Sequence, residues 1–294
     1  MKSKKKNVLA GLALLAITMF LLPLAGCKND TVSEGVQPTN WLTFTAEGEQ
    51  SLTIKASGNM EIPDSMVYST DGGQRWSKPQ LDTAIPFGNE TKLYLRAKSS
   101  IGTAKNSNVY LRFQFGTEVK VACSGDIRTL VDYTNPTGAD TSNARFCYLF
   151  NDCSQLTQAP ELPAAILVDW CYCAMFDGCT GLTQAPELLA ETLADFCYVG
   201  MFSGCTSLTQ APELPAETLP APCYAYMFSG CEKLKSVTML AKTNVNVYNA
   251  LYQWLDGTAE GGTLYVASGM EANEKITGGL PKDKNWKVAV AATN

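Results

Sequence analysis

The sequence predicts two different folds in one exported chain: an all-β sandwich followed by an α/β repeat solenoid. Three observations support this prediction. Apolar and polar residues alternate from Trp41 onwards, a repeat of constant length begins at Cys153, and an apolar leader precedes both. The chain has 294 residues and is 46% hydrophobic, which is enough for about two domains of ordinary size. We therefore expect a multidomain protein.

The N-terminal segment predicts an export signal. MKSKKK is basic, an uncharged stretch follows from Val8 to Gly26, and small residues lead up to Cys27. An apolar run of this length is also long enough to span a bilayer, but Pro23 near its end favours cleavage. Both readings place the rest of the chain outside the cytoplasm, because the lysine cluster stays inside. Residues 1-26 are therefore expected to be a signal peptide.

Leu24-Ala25-Gly26-Cys27 resembles the lipobox of bacterial lipoproteins, in which the signal is removed before a cysteine that becomes the acylated N-terminus. The resemblance implies that Cys27 is the site of lipid attachment. It also implies that acyl chains hold the protein on a membrane, and we expect this to be the outer membrane at the cell surface. The polar residues 27-39 predict a flexible tether beyond that anchor.

Charge and composition exclude several classes of function. The net charge of the chain is −5, and loss of the four leader lysines leaves 19 basic against 28 acidic residues, or −9. An acidic chain repels the phosphate backbone, so we expect no nucleic-acid partner. The chain has no histidine, which excludes the usual serine and cysteine hydrolase triads. We expect no catalytic residue and no cofactor, and a glycoside hydrolase with two carboxylates stays as an alternative.

Residues 40-122 are predicted to form an all-β, immunoglobulin-like sandwich. WLTFTA, SLTIKA, KLYLRA and VYLRFQF alternate apolar with polar residues, which is typical of half-buried strands, and Gly, Pro, Asn and Asp fall between them. Within this region, the segment from Ser69 to Trp76 fits S-x-D-x-G-x-x-W and resembles the Asp-box of sialidases and other propellers. That motif is a hairpin turn away from the catalytic chemistry, so we expect a structural role.

Residues 123-242 are predicted to form the solenoid, because cysteines recur at 153, 179, 205 and 231 with a constant period of 26. Comparison of residues 179–204 with 205–230 gives 19 identities in 26 positions. A fixed period of this length indicates units that bury their apolar faces only by stacking. Residues 243-294 are predicted to form a C-terminal cap.

Each repeat is predicted to contain one helix and one short strand. Cys171, Met175 and Cys179 are spaced i, i+4, i+8, which places them on one face of a helix. The extended segment Leu182-Thr183-Gln184-Ala185 follows, and Pro186 then removes a backbone donor, so the strand should be brief.

The string MFSGCTSLTQAPELPAETL over 201–219, with its equivalents in neighbouring repeats, resembles the BspA-like leucine-rich-repeat surface lipoproteins of Gram-negative anaerobes. The resemblance implies a leucine-rich-repeat-like solenoid on a cell-surface lipoprotein. It further implies a non-catalytic adhesion or ligand-binding role, with a host or bacterial surface protein or a glycan as partner. The alternative is a glycan-binding lipoprotein of a polysaccharide-capture system.

The predicted binding residues are polar side chains that recur beside the short strand. They are too polar for a core, and stacked amides and hydroxyls can read a glycan or an extended peptide. In the alternative interpretation, the ladder only satisfies itself through hydrogen bonds between repeats. The set is Thr157, Gln158, Glu161, Thr183, Gln184, Glu187, Thr209, Gln210 and Glu213.

The ten cysteines after Cys27 leave three alternatives: buried thiols, some disulfides or a metal site. Stacked repeats would bring equivalent cysteines within disulfide reach. We expect no metal site, because the chain lacks histidine and the close pair Cys171 and Cys173 is not repeated. Tyr172, Tyr198 and Tyr224 form a further column, for which packing is expected.

Overall fold

The computed structural model describes residues 40–88, 90–245 and 247–292. The predicted signal peptide, Cys27 and the tether lie outside this part of the chain. The described residues form a mostly β structure with thirteen strands in three sheets, three 3-10 helices and one short α-helix, α1 (Glu274–Thr277). Within the described ranges, no helix is long and apolar enough to cross a membrane.

The N-terminal strands form two sheets, in agreement with the all-β prediction for this part of the chain. Alternate residues of each strand point inwards, so Leu42, Phe44 and Ala46 are buried while their neighbours are half-buried. The strands are β1 (Leu42–Ala46), β2 (Ser51–Ser57), β3 (Val67–Ser69), β4 (Ala84–Pro86), β5 (Lys92–Arg96), β6 (Ala104–Asn106), β7 (Val109–Phe115) and β8 (Val121–Ser124).

The remaining strands are β9 (Leu156–Gln158), β10 (Glu213–Leu214), β11 (Ser236–Met239), β12 (Thr263–Val266) and β13 (Lys287–Val290). The first sheet has the order β3-β5-β1-β8-β9, and the second sheet has the order β4-β2-β7-β6. The third sheet, β10-β11-β12-β13, is parallel throughout. Its strands come from the last repeats and from residues predicted to be the cap.

Both N-terminal sheets continue directly into the repeats. In the first sheet, β8 pairs in parallel with β9 of the first repeat, in a register that places Val121 opposite Leu156. In the second sheet, the backbone N–H of Phe113 donates to the Leu149 carbonyl at 2.8 Å. The expected boundary between residues 122 and 123 therefore falls within β8, and all described residues belong to one compact unit.

The prediction of one helix per repeat is wrong, because the residues expected to be helical form a series of turns. Every second backbone N–H donates to the next repeat; the N–H of Phe176, for example, donates to the Met201 carbonyl at 2.9 Å. The N–H groups in between close four-residue turns, as Cys179 does with the Phe176 carbonyl at 3.1 Å. We call one such row of turns a rung. With half of its donors committed to a neighbour, a rung cannot make the i to i−4 bonds of a helix.

A left-handed residue at every fourth position gives the rung its period. Ala174 has φ of 49° and Gly178 has φ of 73°, and in the next rung Gly200 and Gly204 have φ of 61° and 68°. A positive φ at the third position of a four-residue turn is the geometry of a type II turn. A period of four, like the helical period of 3.6, places Cys171, Met175 and Cys179 on one side, and all three are buried. The face was thus predicted correctly, although the element was not.

Stacked aromatic columns fill the space between the rungs and the strands. The Phe176 and Phe202 ring centroids lie 5.6 Å apart, and those of Phe202 and Phe228 lie 5.7 Å apart. The predicted tyrosine column stacks at a spacing of 6.0 Å from Tyr172 to Tyr198 and from Tyr198 to Tyr224. The three tyrosines are at most 2% exposed, so this column packs in the core.

The phenylalanine column joins the core of the N-terminal sheets to that of the repeats. Phe150 packs against Phe44 and Phe113, with ring centroids at 6.3 Å and 5.4 Å, and it stacks on Phe176 at 5.4 Å. At the other end, the N–H of Phe228 donates to the Trp254 carbonyl at 2.8 Å. The predicted C-terminal cap therefore begins with one further rung.

Replacement of Gly200 by Ala tests whether this segment is a helix or a rung of turns, because the free energy of unfolding should change in opposite directions in the two cases. In a helix, Gly→Ala stabilises by about 1 kcal/mol, whereas at a positive φ it destabilises by about 1 kcal/mol. A Cβ at Gly200 meets nothing closer than the Ser203 Cβ at 4.0 Å, so sterics add little. We expect Gly200→Ala to unfold at a lower urea concentration, with an unchanged dependence of the free energy of unfolding on urea concentration. Gly200→Asn should cost less than Gly200→Ala, because Asn tolerates this conformation; a raised midpoint for Gly200→Ala would contradict the turn geometry.

Candidate functional site

The predicted binding residues of the second and third repeats lie side by side on the strand side of the rungs. Gln184 and Gln210 form a parallel bridge, and the N–H of Thr209 donates to the Thr183 carbonyl at 3.2 Å. All four residues are exposed. The strand in each repeat is as brief as predicted, since β9 has three residues and the strand segments of these two repeats are joined by a single bridge.

Two of the three predicted threonine hydroxyls donate to a backbone carbonyl of the neighbouring strand or repeat. Thr157 Oγ1 donates to the Val121 carbonyl at 3.1 Å, and Thr209 Oγ1 donates to the Thr183 carbonyl at 3.3 Å. The Thr157 and Thr209 hydroxyls therefore form hydrogen bonds within the protein, as the alternative interpretation expects. The side chains of Gln184 and Gln210 make no hydrogen bond to the described residues. Their amides are therefore available to a partner.

A groove of about 460 Å³ collects four of the predicted residues. Its lining includes Gln184 and Glu187 from one repeat and Gln210 and Glu213 from the next. Prolines follow the bridge in both repeats and form the apolar part of the lining together with alanines. Ligand sites commonly combine an apolar lining with a few polar or charged groups, and this groove contains both.

The first repeat does not contribute to this groove. Gln158 pairs with Ala122 of β8, and Glu161 accepts a hydrogen bond from Asn40 Nδ2 at 3.1 Å. The backbone of Glu161 also bridges to Asp126. The predicted residues of the first repeat therefore contact the N-terminal sheets. Those of the second and third repeats lie on the strand side of the rungs, and four of them line the groove.

Leu189 is a lining residue that the sequence prediction missed. It is 52% exposed and lines the same groove. The equivalent positions one repeat before and one repeat after hold Pro163 and Pro215. Aligning the repeats shows this difference, so the signal was present in the sequence as an apolar residue that breaks the pattern.

The surface around the groove is acidic. Glu191 and Glu217 form a further pair at equivalent positions, and they line an adjoining groove of about 800 Å³ together with Glu213. Lys242 forms an ion pair with Glu217 at the edge of this surface. The arrangement favours a partner that carries positive charge, because an acidic partner would be repelled.

The ten cysteines of the described part are free and buried, which matches the buried-thiol alternative. Several of their Sγ–H groups donate to backbone carbonyls; across rungs, Cys179 donates to the Phe150 carbonyl at 3.0 Å and Cys231 to the Phe202 carbonyl at 3.1 Å. Burial raises the pKa of the Cys231 thiol from its ordinary value of 9.0 to about 12. A neutral, buried thiol is a poor nucleophile and a poor metal ligand. Within the described ranges, no group of three or more acidic, cysteine or histidine side chains is placed to hold a metal.

The Asp-box segment forms the turn that its motif predicts. Asp71 Oδ1 accepts from the backbone N–H of Gln74 at 3.1 Å and of Arg75 at 2.9 Å. Trp76 Nε1 donates to the Gly73 carbonyl at 2.9 Å, and its ring packs edge-on against Trp41 with centroids 4.8 Å apart. These contacts hold a hairpin together.

Comparison of the chain with protein-family models, with curated proteins and with solved structures found no match. Function is therefore inferred from the geometry described above.

The buried thiols predict that the protein loses stability in alkaline solution. Below about pH 9 the thiols are protonated in both states, so their contribution is fully present. Between about pH 9 and about pH 12 the unfolded thiols ionise while the folded Cys231 thiol does not, so the free energy of unfolding falls as pH rises. The free energy of unfolding can be measured by urea titration at several pH values in this range. Cys231→Ala should make its decrease with pH less steep, by up to about 1.4 kcal/mol per pH unit. An unchanged slope would show that this thiol is not held neutral by folding.

Proposed function

We propose that the protein is a lipid-anchored, non-catalytic surface protein that binds an extended, basic segment of a partner protein in the groove beside Gln184 and Gln210. The observation that carries the proposal is the set of amides and carboxylates repeated along one groove. Equivalent amides in adjacent repeats are separated by about one inter-strand distance of 4.8 Å. Such a row suits a partner with a regular backbone, which peptide recognition by extended segments commonly uses.

Charge and apolar contacts support a peptide in this groove. Glu187 and Glu213 lie within the lining, so basic side chains of the partner would find opposite charges. Leu189 and the prolines offer apolar surface between the polar groups, and an exposed leucine gains from being covered. The Thr209 hydroxyl is already bonded, which leaves the glutamines as the main hydrogen-bonding groups of the site.

We further infer that residues 123–242 are a leucine-rich-repeat-like solenoid in which rungs of turns take the place of helices. We also infer that the N-terminal sheets are an immunoglobulin-like sandwich, which covers the first rung of this solenoid. The constant step of the hydrogen bonds between rungs supports the solenoid. The two strand orders with a shared core support the sandwich. A surface protein of the BspA-like kind would then present its strand side to partners.

The groove is tested by a screen of matrix proteins, bacterial surface proteins and glycans, followed by affinity measurements on the partner that is retained. Loss of two exposed amide hydrogen bonds should weaken binding about tenfold in the double variant Gln184→Ala, Gln210→Ala. Gln158→Ala is the matched control, because it removes the same side chain from the same column outside the groove. Equal weakening by both variants would place the binding site elsewhere, and retention of glycans alone would support the polysaccharide-capture alternative.

The lipid anchor is tested by metabolic labelling of cells with a palmitate analogue. The wild-type protein should be labelled and Cys27→Ala should not, because acylation requires the cysteine that follows the cleavage site. Cys123→Ala is the control, since it removes a buried thiol of the folded part and should leave the label in place. Equal labelling of wild type and Cys27→Ala would refute the anchor while leaving the groove proposal standing.

A further inference from the structure

A cluster of aromatic side chains surrounds one guanidinium on the outer face of the first sheet. Leu93 and Leu95 of β5 point into the core, so Tyr94 and Arg96 point outwards. Three rings from other segments meet at this guanidinium, those of Trp41, Trp76 and Tyr133. Arg96 and the four aromatic residues are all half-buried. We call these five residues the aromatic cluster.

The guanidinium is held against ring faces and not by hydrogen bonds. Its Cζ lies 3.7 Å from the Trp76 ring centroid, 4.2 Å from that of Tyr133 and 4.9 Å from that of Trp41. Cation–π contacts of this kind fix the plane of the guanidinium but satisfy none of its N–H donors. Arg96 Nε is buried and has no hydrogen-bond partner among the described residues.

No carboxylate in the described part of the chain pairs with Arg96. The acids of the neighbouring segments are already engaged: Asp71 accepts from Arg75 Nε at 2.8 Å, and Asp132 lies 3.7 Å from Lys98 Nζ. Burial lowers the pKa of Arg96 below its ordinary value, because desolvation disfavours the charged guanidinium. A partly buried cation without an anion is costly, and arginine is normally paired when it is buried. The cluster is therefore complete in its apolar contacts and lacks a negative charge.

We propose that the aromatic cluster is a binding site for an acidic saccharide of the uronate class, whose carboxylate pairs with the Arg96 guanidinium. The planar fork of arginine matches a carboxylate. The exposed parts of the rings offer flat apolar surface to the C–H face of a sugar. This site is on the N-terminal sheets and is independent of the groove at Gln184 and Gln210.

Polar groups beside the cluster suit a saccharide better than an acidic peptide. Thr43 lies opposite both Tyr94 and Ser124 in the strand register, so hydroxyl groups continue across the same outer face. Ser124 is exposed. A second cation, Lys98, lies 5.5 Å from the Tyr133 ring centroid, but it is paired with Asp132. Aromatic rings, the Arg96 guanidinium and neighbouring hydroxyls together match a ligand with a ring, an anion and many hydroxyls.

The test is titration of the full chain with trigalacturonate, followed by calorimetry and by tryptophan fluorescence, since Trp41 and Trp76 are two of five tryptophans in the chain. The fully methyl-esterified trisaccharide has the same rings without the charge. We expect trigalacturonate to bind, with an affinity that weakens as salt is raised, and its ester to bind at least about tenfold more weakly.

Variants decide whether Arg96 is responsible. Arg96→Gln should weaken binding at least about tenfold, and Arg112→Gln, which removes an arginine of the second sheet, should not change it. If Arg96→Gln fails to fold, Arg96→Lys decides, because it keeps the charge but lacks the planar fork and should still weaken binding. Absence of binding, equal binding of the ester, equal loss in Arg112→Gln or full affinity in Arg96→Lys would overturn the proposal. Equal affinity for a polyglutamate peptide would overturn the saccharide class.

Discussion

The hydrogen bond from every second backbone N–H of a rung to a carbonyl of the next rung is the constraint on which the rest of this structure depends. It fixes the spacing of the repeats, because one inserted residue would misalign each bond that follows. It also leaves only alternate N–H groups for local bonding, so each rung closes short turns instead of a helix. The left-handed residues at Ala174, Gly200 and Tyr226 follow from that geometry and not from residue preference, since only one of the three is glycine.

Identical spacing turns single residues into columns, and the columns form the core. Phe176 stacks on Phe202 and Tyr172 stacks on Tyr198, and the Cys205 thiol donates to a carbonyl of the preceding rung. A column needs a cover at each end, because an exposed aromatic face loses its apolar contacts. Phe44 and Phe113 of the N-terminal sheets provide one cover, which explains why the sheets and the repeats share a core.

Stacking also organises the outer surface. On the strand side it brings glutamines and glutamates of adjacent repeats into one groove. It also places the Thr209 hydroxyl in a hydrogen bond to the preceding repeat. The surface that remains is polar, acidic and interrupted by Leu189. On the first sheet, by contrast, the aromatic cluster is assembled from four separate segments, all of which precede the first 26-residue unit at Cys153. The two surfaces therefore differ in charge and in chemistry, which is why separate ligands are proposed for them.

The sequence by itself determined the period of the repeats, the buried face of each rung, the exposed polar column, the alternating strands and the Asp71 turn. These features depend on residues close in the chain or on exact repetition. Only the tertiary structure decided between helix and turn, because spacing of i, i+4, i+8 is compatible with both and the deciding bond reaches into the next repeat. It also decided that Glu161 contacts Asn40 while Glu187 lines the groove, and that Arg96 meets three aromatic rings. Contacts between distant segments leave no local pattern from which they can be predicted.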